Sequence, residues 1–273
     1  MIADYHIHTR LCRHAEGEPR EYVERAIGLG MSEMGFADHL PFLNDWQPGH
    51  GIPGDDWCME LGELDGYVSL VQALAREYAA DLRILVGIEA DYIEETIDET
   101  ARVLNDYPFD YVIGSVHIVG ERFAFDHPAS RARVHDYGID RIHLESLENV
   151  ARAATTGLFH VIGHLDQAKK FGNRPDDAEG VAAAASRALR AIRQTGAALE
   201  LNTAGLRKPV GEAYPAPGLL AEARALGIPL TFGSDAHRPD DVGADFARAT
   251  ALAREAGYSA VLRLSDGRPQ ALA

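Results

Sequence analysis

Cysteine is scarce in this sequence, with only Cys12 and Cys58 among 273 residues. Two cysteines are too few for a disulfide framework, so we expect packed thiols in a reducing compartment. No apolar run approaches the length of a membrane span, and no basic segment followed by an apolar one opens the chain as a secretory signal would. We therefore expect a cytoplasmic protein with no membrane partner.

Basic residues are also few: 26 Lys and Arg stand against 42 Asp and Glu, which gives a formal net charge of −16. A protein that binds nucleic acid needs a basic face, because its main contacts are to phosphates. We therefore expect no nucleic-acid partner. A small phosphorylated substrate is still compatible with this charge, because a bound metal ion can reverse its sign locally. The composition leaves the oligomeric state open.

Short apolar segments alternate with helical patterns along the whole chain. Seven of these segments, from the one that ends at His8 to residues 228–233, read as buried parallel strands. No linker-like composition separates them, so we predict one α/β domain over residues 1–273. Residues 41–58, rich in Pro, Gly and Asp, are predicted to form a long loop that could act as a lid.

Six of the seven predicted strands end in a residue that can bind a metal ion. These residues are His6, His8, His39, Glu89, His117, His164, Asp235 and His237. The carboxyl ends of the strands converge in a closed parallel barrel, whereas an open sheet would spread them along a line. The pattern therefore predicts a barrel with a metal site at that end. Imidazole and carboxylate together favour Zn, Mn or Fe over Mg or Ca.

The remaining histidines lack this placement. His14 lies in the loop after the first strand, and its spacing alone suits a surface residue as well as a ligand. The others are expected to be exposed or packed without a metal role: His50, His127, His135, His143 and His160.

The strand-end motifs resemble those of the polymerase-and-histidinol-phosphatase (PHP) superfamily. The matching motifs are Asp4-Tyr5-His6-Ile7-His8, Ala37-Asp38-His39, Gly87-Ile88-Glu89, Ser115-Val116-His117, Ile162-Gly163-His164 and Gly233-Ser234-Asp235-Ala236-His237. A narrower similarity, to the histidinol-phosphate phosphatase branch, is carried by residues 163–171 and 200–209 and by Tyr214-Pro215. Between His117 and His164, above all at residues 131–139, the chain is idiosyncratic, and no substrate contacts are predicted there.

The resemblance implies a distorted (β/α)7 TIM-like barrel that holds three divalent transition-metal ions. One ion would be held by His6, His8, Glu89 and Asp235. Glu89 would bridge to a second ion, held also by His117 and His164. The third would be held by His14, His39 and His237, so that the resemblance makes His14 a ligand.

The resemblance also implies a reaction, the hydrolysis of L-histidinol phosphate to L-histidinol and phosphate in histidine biosynthesis. A hydroxide that bridges two of the ions would attack phosphorus in line with the leaving alkoxide. The catalytic residues would be Glu89, Asp235 and His237. The proton donor to the leaving group is unassigned, with His237 and Asp38 as the candidates.

Basic residues follow the sixth predicted strand, whose end, Asn202, offers no strong ligand. We expect this side of the barrel to bind the phosphate, mainly through Arg207, with Lys208 beside it and Lys170 assisting from the fifth loop. A fork-shaped guanidinium suits a phosphate better than a point charge does. The alternative is that Arg207 and Lys208 are ordinary surface cations.

Three other functions are compatible with the residues. The first is another PHP phosphoesterase, acting on a nucleotide or a different small phosphomonoester. The second is a metal-dependent amidohydrolase, which is also a barrel that opens with His-x-His. The third is a metal-binding or scaffold protein without activity, which the full set of nine candidate ligands disfavours.

Overall fold

Six parallel strands form the central sheet of the computed structural model, which describes residues 2–49 and 57–272. The strands, in chain order, are β1 Glu33–His39, β2 Arg83–Asp91, β3 Tyr111–Ser115, β4 Ile118–Val119, β5 Phe123–Ala124, β6 Val161–Ile162, β7 Ala198–Asn202, β8 Leu230–Gly233, β9 Ala260–Leu262 and β10 Pro269–Ala271. The sheet order is β1-β2-β3-β6-β7-β8, while β4 pairs with β5 and β9 with β10 in two antiparallel hairpins.

The N-terminal segment closes this sheet. Residues 1–8 were predicted as a short strand. Residues 2–8, which the structure describes, make only two isolated bridges, one to each edge of the sheet. On the β1 side, the Ala37 N–H donates to the Ile7 carbonyl at 2.8 Å. On the β8 side, the His8 N–H donates to the Ala236 carbonyl at 2.9 Å. The segment therefore joins β8 to β1, and the predicted barrel architecture is confirmed.

Helices connect the strands and cover the outside of the barrel. They are α1 Pro19–Gly28, α2 Leu64–Glu77, α3 Ile97–Asp106, α4 Val134–Tyr137, α5 Ile139–Thr155, α6 Ala178–Thr195, α7 Pro217–Ala225 and α8 Phe246–Glu255. Local sequence sets their ends: at α6 the Asp177 side chain accepts from the Gly180 N–H, and Gly196 closes the helix with φ of 79°. Within the described ranges, no helix combines the length and apolar character needed to cross a bilayer.

The barrel interior is filled at one end by Tyr111, whose ring lies across β1 and β2. A Cβ atom at Gly87 would lie 2.2 Å from Tyr111 Cζ, so this strand position must be glycine. The Tyr111 hydroxyl donates to the Tyr5 carbonyl at 2.6 Å and so fixes the N-terminal segment. This packing leaves the opposite end of the barrel, where the strands terminate, free for polar side chains.

The predicted lid loop is described only in part. Its described aromatic residues pack together, with the Phe42 ring centroid 5.2 Å from that of Trp46 and 6.1 Å from that of Trp57. Residues 50–56, which include His50, lie outside the described residues, and the lid remains a prediction.

Candidate metal centre

Glu89, at the carboxyl end of β2, is the centre of the site. Its Oε2 atom lies 2.9 Å from His39 Nδ1 and 3.3 Å from His6 Nε2. Its Oε1 atom lies 2.9 Å from His164 Nε2 and 3.6 Å from His117 Nε2. Oε2 also lies 3.6 Å from His8 Nε2. The two carboxylate oxygens thus face different sets of imidazoles, which is an arrangement that suits a carboxylate shared between two metal ions.

The other predicted ligands complete this cluster. His8 Nε2 lies 3.2 Å from Asp235 Oδ1, and Asp235 turns into the site through a left-handed backbone with φ of 55°. His14 Nε2 and His237 Nε2 face each other at 2.9 Å. The structure therefore brings all nine predicted residues together. Among the described residues, the groups whose candidate ligand atoms lie within 4.8 Å of one another include His6 with Glu89 and His164, His6 with His8 and Asp235, and His14 with His39 and His237.

The chemistry of these atoms fits divalent cations. Among the residues that the structure describes, His6 Nε2, both ring nitrogens of His8 and Glu89 Oε2 are buried and have no hydrogen-bond partner. Buried polar atoms left unpaired are costly, so a cluster of four in one place indicates a partner of another kind. Neutral imidazole nitrogens and a carboxylate oxygen are the donor set of zinc and related ions.

Carboxylates and carbonyls behind the cluster orient the imidazoles. Glu200 Oε1 lies 2.6 Å from His6 Nδ1, and Asp91 Oδ1 lies 2.9 Å from His117 Nδ1. An acceptor at Nδ1 places the ring proton there, and the Nε2 lone pair is then directed into the site. Neither carboxylate was predicted to have a role, although Glu200 inside an otherwise apolar strand was a usable signal.

Glu200 connects further parts of the site through its second oxygen. Oε2 accepts from the His164 backbone N–H at 2.9 Å and from Asn202 Nδ2 at 3.0 Å. Gly233 makes this possible, because a Cβ atom there would lie 1.9 Å from Glu200 Oε1. The strand that was predicted to offer no ligand therefore supplies the support for two candidate ligands.

The buried carboxylates of the cluster favour positive charge in the site. Burial opposes the ionisation of Glu89 and Asp235, but the neighbouring imidazoles, His6 first, hold both pKa values well below their ordinary range. Burial also opposes a charge on His8 and His117. Asp235 and Asp38 nevertheless raise the pKa of His8 to about 9, and Asp91 and then other carboxylates raise that of His117 to about 10. In the metal-free protein, protons on these imidazoles therefore supply the positive charge that the carboxylates favour.

A cavity of about 500 Å³ opens over this cluster and contains the predicted phosphate-binding residues. Arg207, Lys208 and Lys170 line it together with Glu89 and His237. The Arg207 guanidinium is fixed by a 2.7 Å hydrogen bond from Nη2 to the Ser234 carbonyl. Burial, followed by the Lys170 charge, lowers the pKa of Lys208. The three cationic side chains therefore share one cavity with candidate metal ligands.

The structure places Asp38 and His127 differently from what was expected. Asp38, a candidate proton donor, lies behind His8 and accepts from the Thr9 N–H at 3.0 Å and the His39 N–H at 2.9 Å. It does not line the cavity and is fully buried, so its position suits it to holding the loop after His8. His127, expected to be unremarkable, lines the cavity with its ring stacked 5.3 Å from that of Trp57.

Comparison with known proteins identifies the family. A family model described as PHP domain matches residues 4–204. The chain belongs to the PHP domain family. A probable histidinol-phosphatase of Deinococcus radiodurans is 41% identical over 256 residues, which cover 94% of both chains. A histidinol-phosphatase of Bacillus subtilis is 31% identical over 88% of this chain and 95% of the other. The predicted superfamily is therefore confirmed.

The PHP domain also has a solved structural relative. The crystal structure of histidinol phosphate phosphatase from Lactococcus lactis matches it with a TM-score of 0.74 over 98% of both chains, at 24% identity. That protein was solved in complex with zinc, L-histidinol and phosphate. The likeness supports the barrel fold of this PHP domain.

Proposed function

We propose that this PHP domain is a histidinol-phosphate phosphatase, which hydrolyses L-histidinol phosphate to L-histidinol and phosphate in histidine biosynthesis. The observation that carries the proposal is the shared cavity, where Glu89 and its imidazoles face three cationic side chains. Two relatives that match nearly the whole chain bear the name histidinol-phosphatase, one of them as probable. The zinc, histidinol and phosphate bound by the Lactococcus protein have the chemistry that this cavity offers.

We assign three divalent ions, Zn, Mn or Fe, to the cluster. One would be held by His6, His8, Glu89 and Asp235. A second would be held by Glu89, His117 and His164, and a third by His14, His39 and His237. When bound, such ions act as Lewis acids and lower the pKa of water toward neutrality.

The side chains of the chain itself bind and orient the phosphate. Arg207 has five N–H donors, of which the Ser234 carbonyl engages one at 2.7 Å and the Thr203 carbonyl another at 3.5 Å, and its Nε atom lies 3.5 Å from Asp241 Oδ1. Lys208 and Lys170 add two ammonium groups to the same cavity. These cations neutralise the phosphoryl oxygens, whose charge dominates this class of reaction. His237 is a ligand and not the proton donor in this arrangement, because its Nδ1 faces the Asp235 carbonyl at 3.0 Å and its Nε2 faces His14.

A substrate panel tests the proposal. The purified protein is loaded with zinc or manganese, and phosphate release is measured from histidinol phosphate and from nucleoside monophosphates, with amide hydrolysis followed in parallel. We expect kcat/KM for histidinol phosphate to exceed that for the other substrates by about 100-fold or more. A Glu89→Gln variant, prepared identically, controls for a contaminating phosphatase. Equal or faster turnover of a nucleotide or an amide would refute the assignment.

A further inference from the structure

The cavity contains polar atoms that the metal cluster and the phosphate-binding cations leave unexplained. Asp126 Oδ1, Gln167 Oε1 and the Tyr214 hydroxyl are buried and have no hydrogen-bond partner within residues 2–49 and 57–272. All three residues line the same cavity. Unpaired buried polar atoms beside an open cavity indicate groups that a ligand satisfies.

Asp126 is the charged member of this set. It lies just after the β4–β5 hairpin, in the segment between His117 and His164 where no substrate contact was predicted. Its side chain is 90% buried, and Oδ2 pairs with Lys170 Nζ at 3.0 Å. Burial opposes its ionisation, but Lys170 and then His117 keep the pKa of Asp126 below its ordinary value. The unpaired Oδ1 atom is therefore an ionised acceptor on a residue that lines the cavity.

The pairing with Lys170 places an anion next to a cation that faces the phosphate. A lysine ammonium has three N–H donors, and Asp126 takes one of them, so the others are available to a phosphoryl oxygen. A ligand that matches both groups carries a phosphate and, a few atoms away, a hydrogen-bond donor with positive charge. An ammonium on the carbon next to the phosphate-bearing carbon, as in histidinol phosphate, has this spacing.

We propose that Asp126 binds the ammonium group of the substrate alcohol and so makes this cavity specific for phosphomonoesters of amino alcohols. The proposal rests on the proposed function and adds to it the group that selects the alcohol. Gln167 and Tyr214 line the same cavity and provide neutral hydrogen-bonding groups beside that charge. Two other roles have to be distinguished from this one: Asp126 could serve only to position Lys170, or it could bind the imidazole N–H of the substrate.

An Asp126→Asn variant separates these roles when it is assayed on three substrates. They are histidinol phosphate, an analogue that lacks the amine, and an analogue that keeps the amine but lacks the imidazole. We expect kcat/KM to fall about 10- to 100-fold for both amine-bearing compounds, mainly through KM, because a charge-assisted hydrogen bond is lost. The amine-free analogue should change by less than about threefold on the same reasoning. Asp136→Asn is the matched control, because Asp136 is an exposed residue of α4 that does not line the cavity.

The outcomes that overturn the proposal are distinct. An equal loss for all three substrates, reproduced by Lys170→Met, would show that Asp126 acts only through Lys170. A loss of kcat/KM for the imidazole-bearing compounds, but not for the analogue that lacks the imidazole, would show that Asp126 binds the imidazole N–H. Metal content and melting temperature of the variant, compared with wild type, show whether a loss reflects misfolding.

Binding of the product L-histidinol, in the presence of inorganic phosphate, provides a readout that needs no turnover. Calorimetric titration should show Asp126→Asn binding histidinol about 10- to 100-fold more weakly than wild type, with the amine-free alcohol unaffected. A wild-type protein that binds histidinol in this way but releases no phosphate would refute the proposed function and leave the Asp126 assignment standing. Unchanged histidinol binding in the variant would refute the Asp126 assignment alone.

Discussion

Glu200 joins two of the proposed metal positions through a single carboxylate. One oxygen faces His6 Nδ1, and the other accepts from the His164 backbone N–H. Glutamine keeps the size of the side chain but turns an NH2 group toward one of these two donors. We expect Glu200→Gln to lower zinc affinity and kcat by about 10- to 100-fold each, as measured by competition with a chromophoric chelator and by phosphate release.

Glu222→Gln is a matched control for this change, because Glu222 also accepts a side-chain hydrogen bond, from Ser186 at 2.9 Å, but lies outside the cavity. Its zinc affinity and kcat should equal those of wild type. Wild-type zinc affinity in Glu200→Gln would mean that the imidazoles are oriented without this carboxylate.

The phosphate-binding role of Arg207 can also be tested with a single substitution. Because its guanidinium is fixed by Ser234 at the edge of the cavity, Arg207→Ala should raise KM and lower kcat/KM by about 10- to 100-fold, with Arg207→Lys intermediate. Steady-state phosphate release measures both constants. Arg174→Ala removes a guanidinium that pairs with Glu212 away from the cavity, and it should leave both unchanged. Wild-type constants in Arg207→Ala would make Arg207 an ordinary surface cation.

At the scale of elements, strand ends were predictable and the connections between them were not. A short apolar segment followed by His or Glu reveals both a buried strand and its functional end, as at Glu89 and His164. The roles of Glu200 and Asp126 depend on side chains more than 30 residues away, His6 for Glu200 and Lys170 for Asp126, and the local sequence pattern does not identify these partners. The N-terminal segment was predicted as a strand, but its pairing with both edges of the sheet follows only from closure of the barrel.

Closure by this segment depends on Tyr111, whose hydroxyl donates to the Tyr5 carbonyl inside the barrel. Tyr111→Phe leaves that buried carbonyl without its side-chain donor, so we expect the free energy of unfolding to fall by about 1–3 kcal/mol. Urea denaturation followed by circular dichroism measures the change. Tyr78→Phe, at the partly exposed end of α2, should cost much less. An unchanged free energy of unfolding in Tyr111→Phe would show that the Tyr111 hydroxyl does not stabilise the closed barrel.

At the scale of the whole molecule, the proposed ions cross-link the chain. The candidate ligands extend from His6 to His237 and come from both edges of the sheet as well as its centre. A cation bound by such residues stabilises the closed barrel over the unfolded chain, because the unfolded chain cannot assemble the same ligands. Positive charge is thereby gathered in one cavity of a protein whose net charge is −16.

This coupling predicts how metal removal depends on pH. In the metal-free protein, carboxylates hold the pKa of His8 at about 9 and that of His117 at about 10, above the ordinary value near 6.5. Those raised values stabilise the metal-free fold below pH 6.5, and the stabilisation is lost as pH rises toward 9 and 10. Bound metal displaces the same protons, so the gain in melting temperature on adding zinc to chelator-treated protein should grow from pH 6 to pH 9. Scanning calorimetry of both forms measures this gain. A gain that is constant or shrinks over this range would contradict proton displacement from these histidines, and a metal-free protein as stable as the loaded one at pH 8 would contradict the cross-link itself.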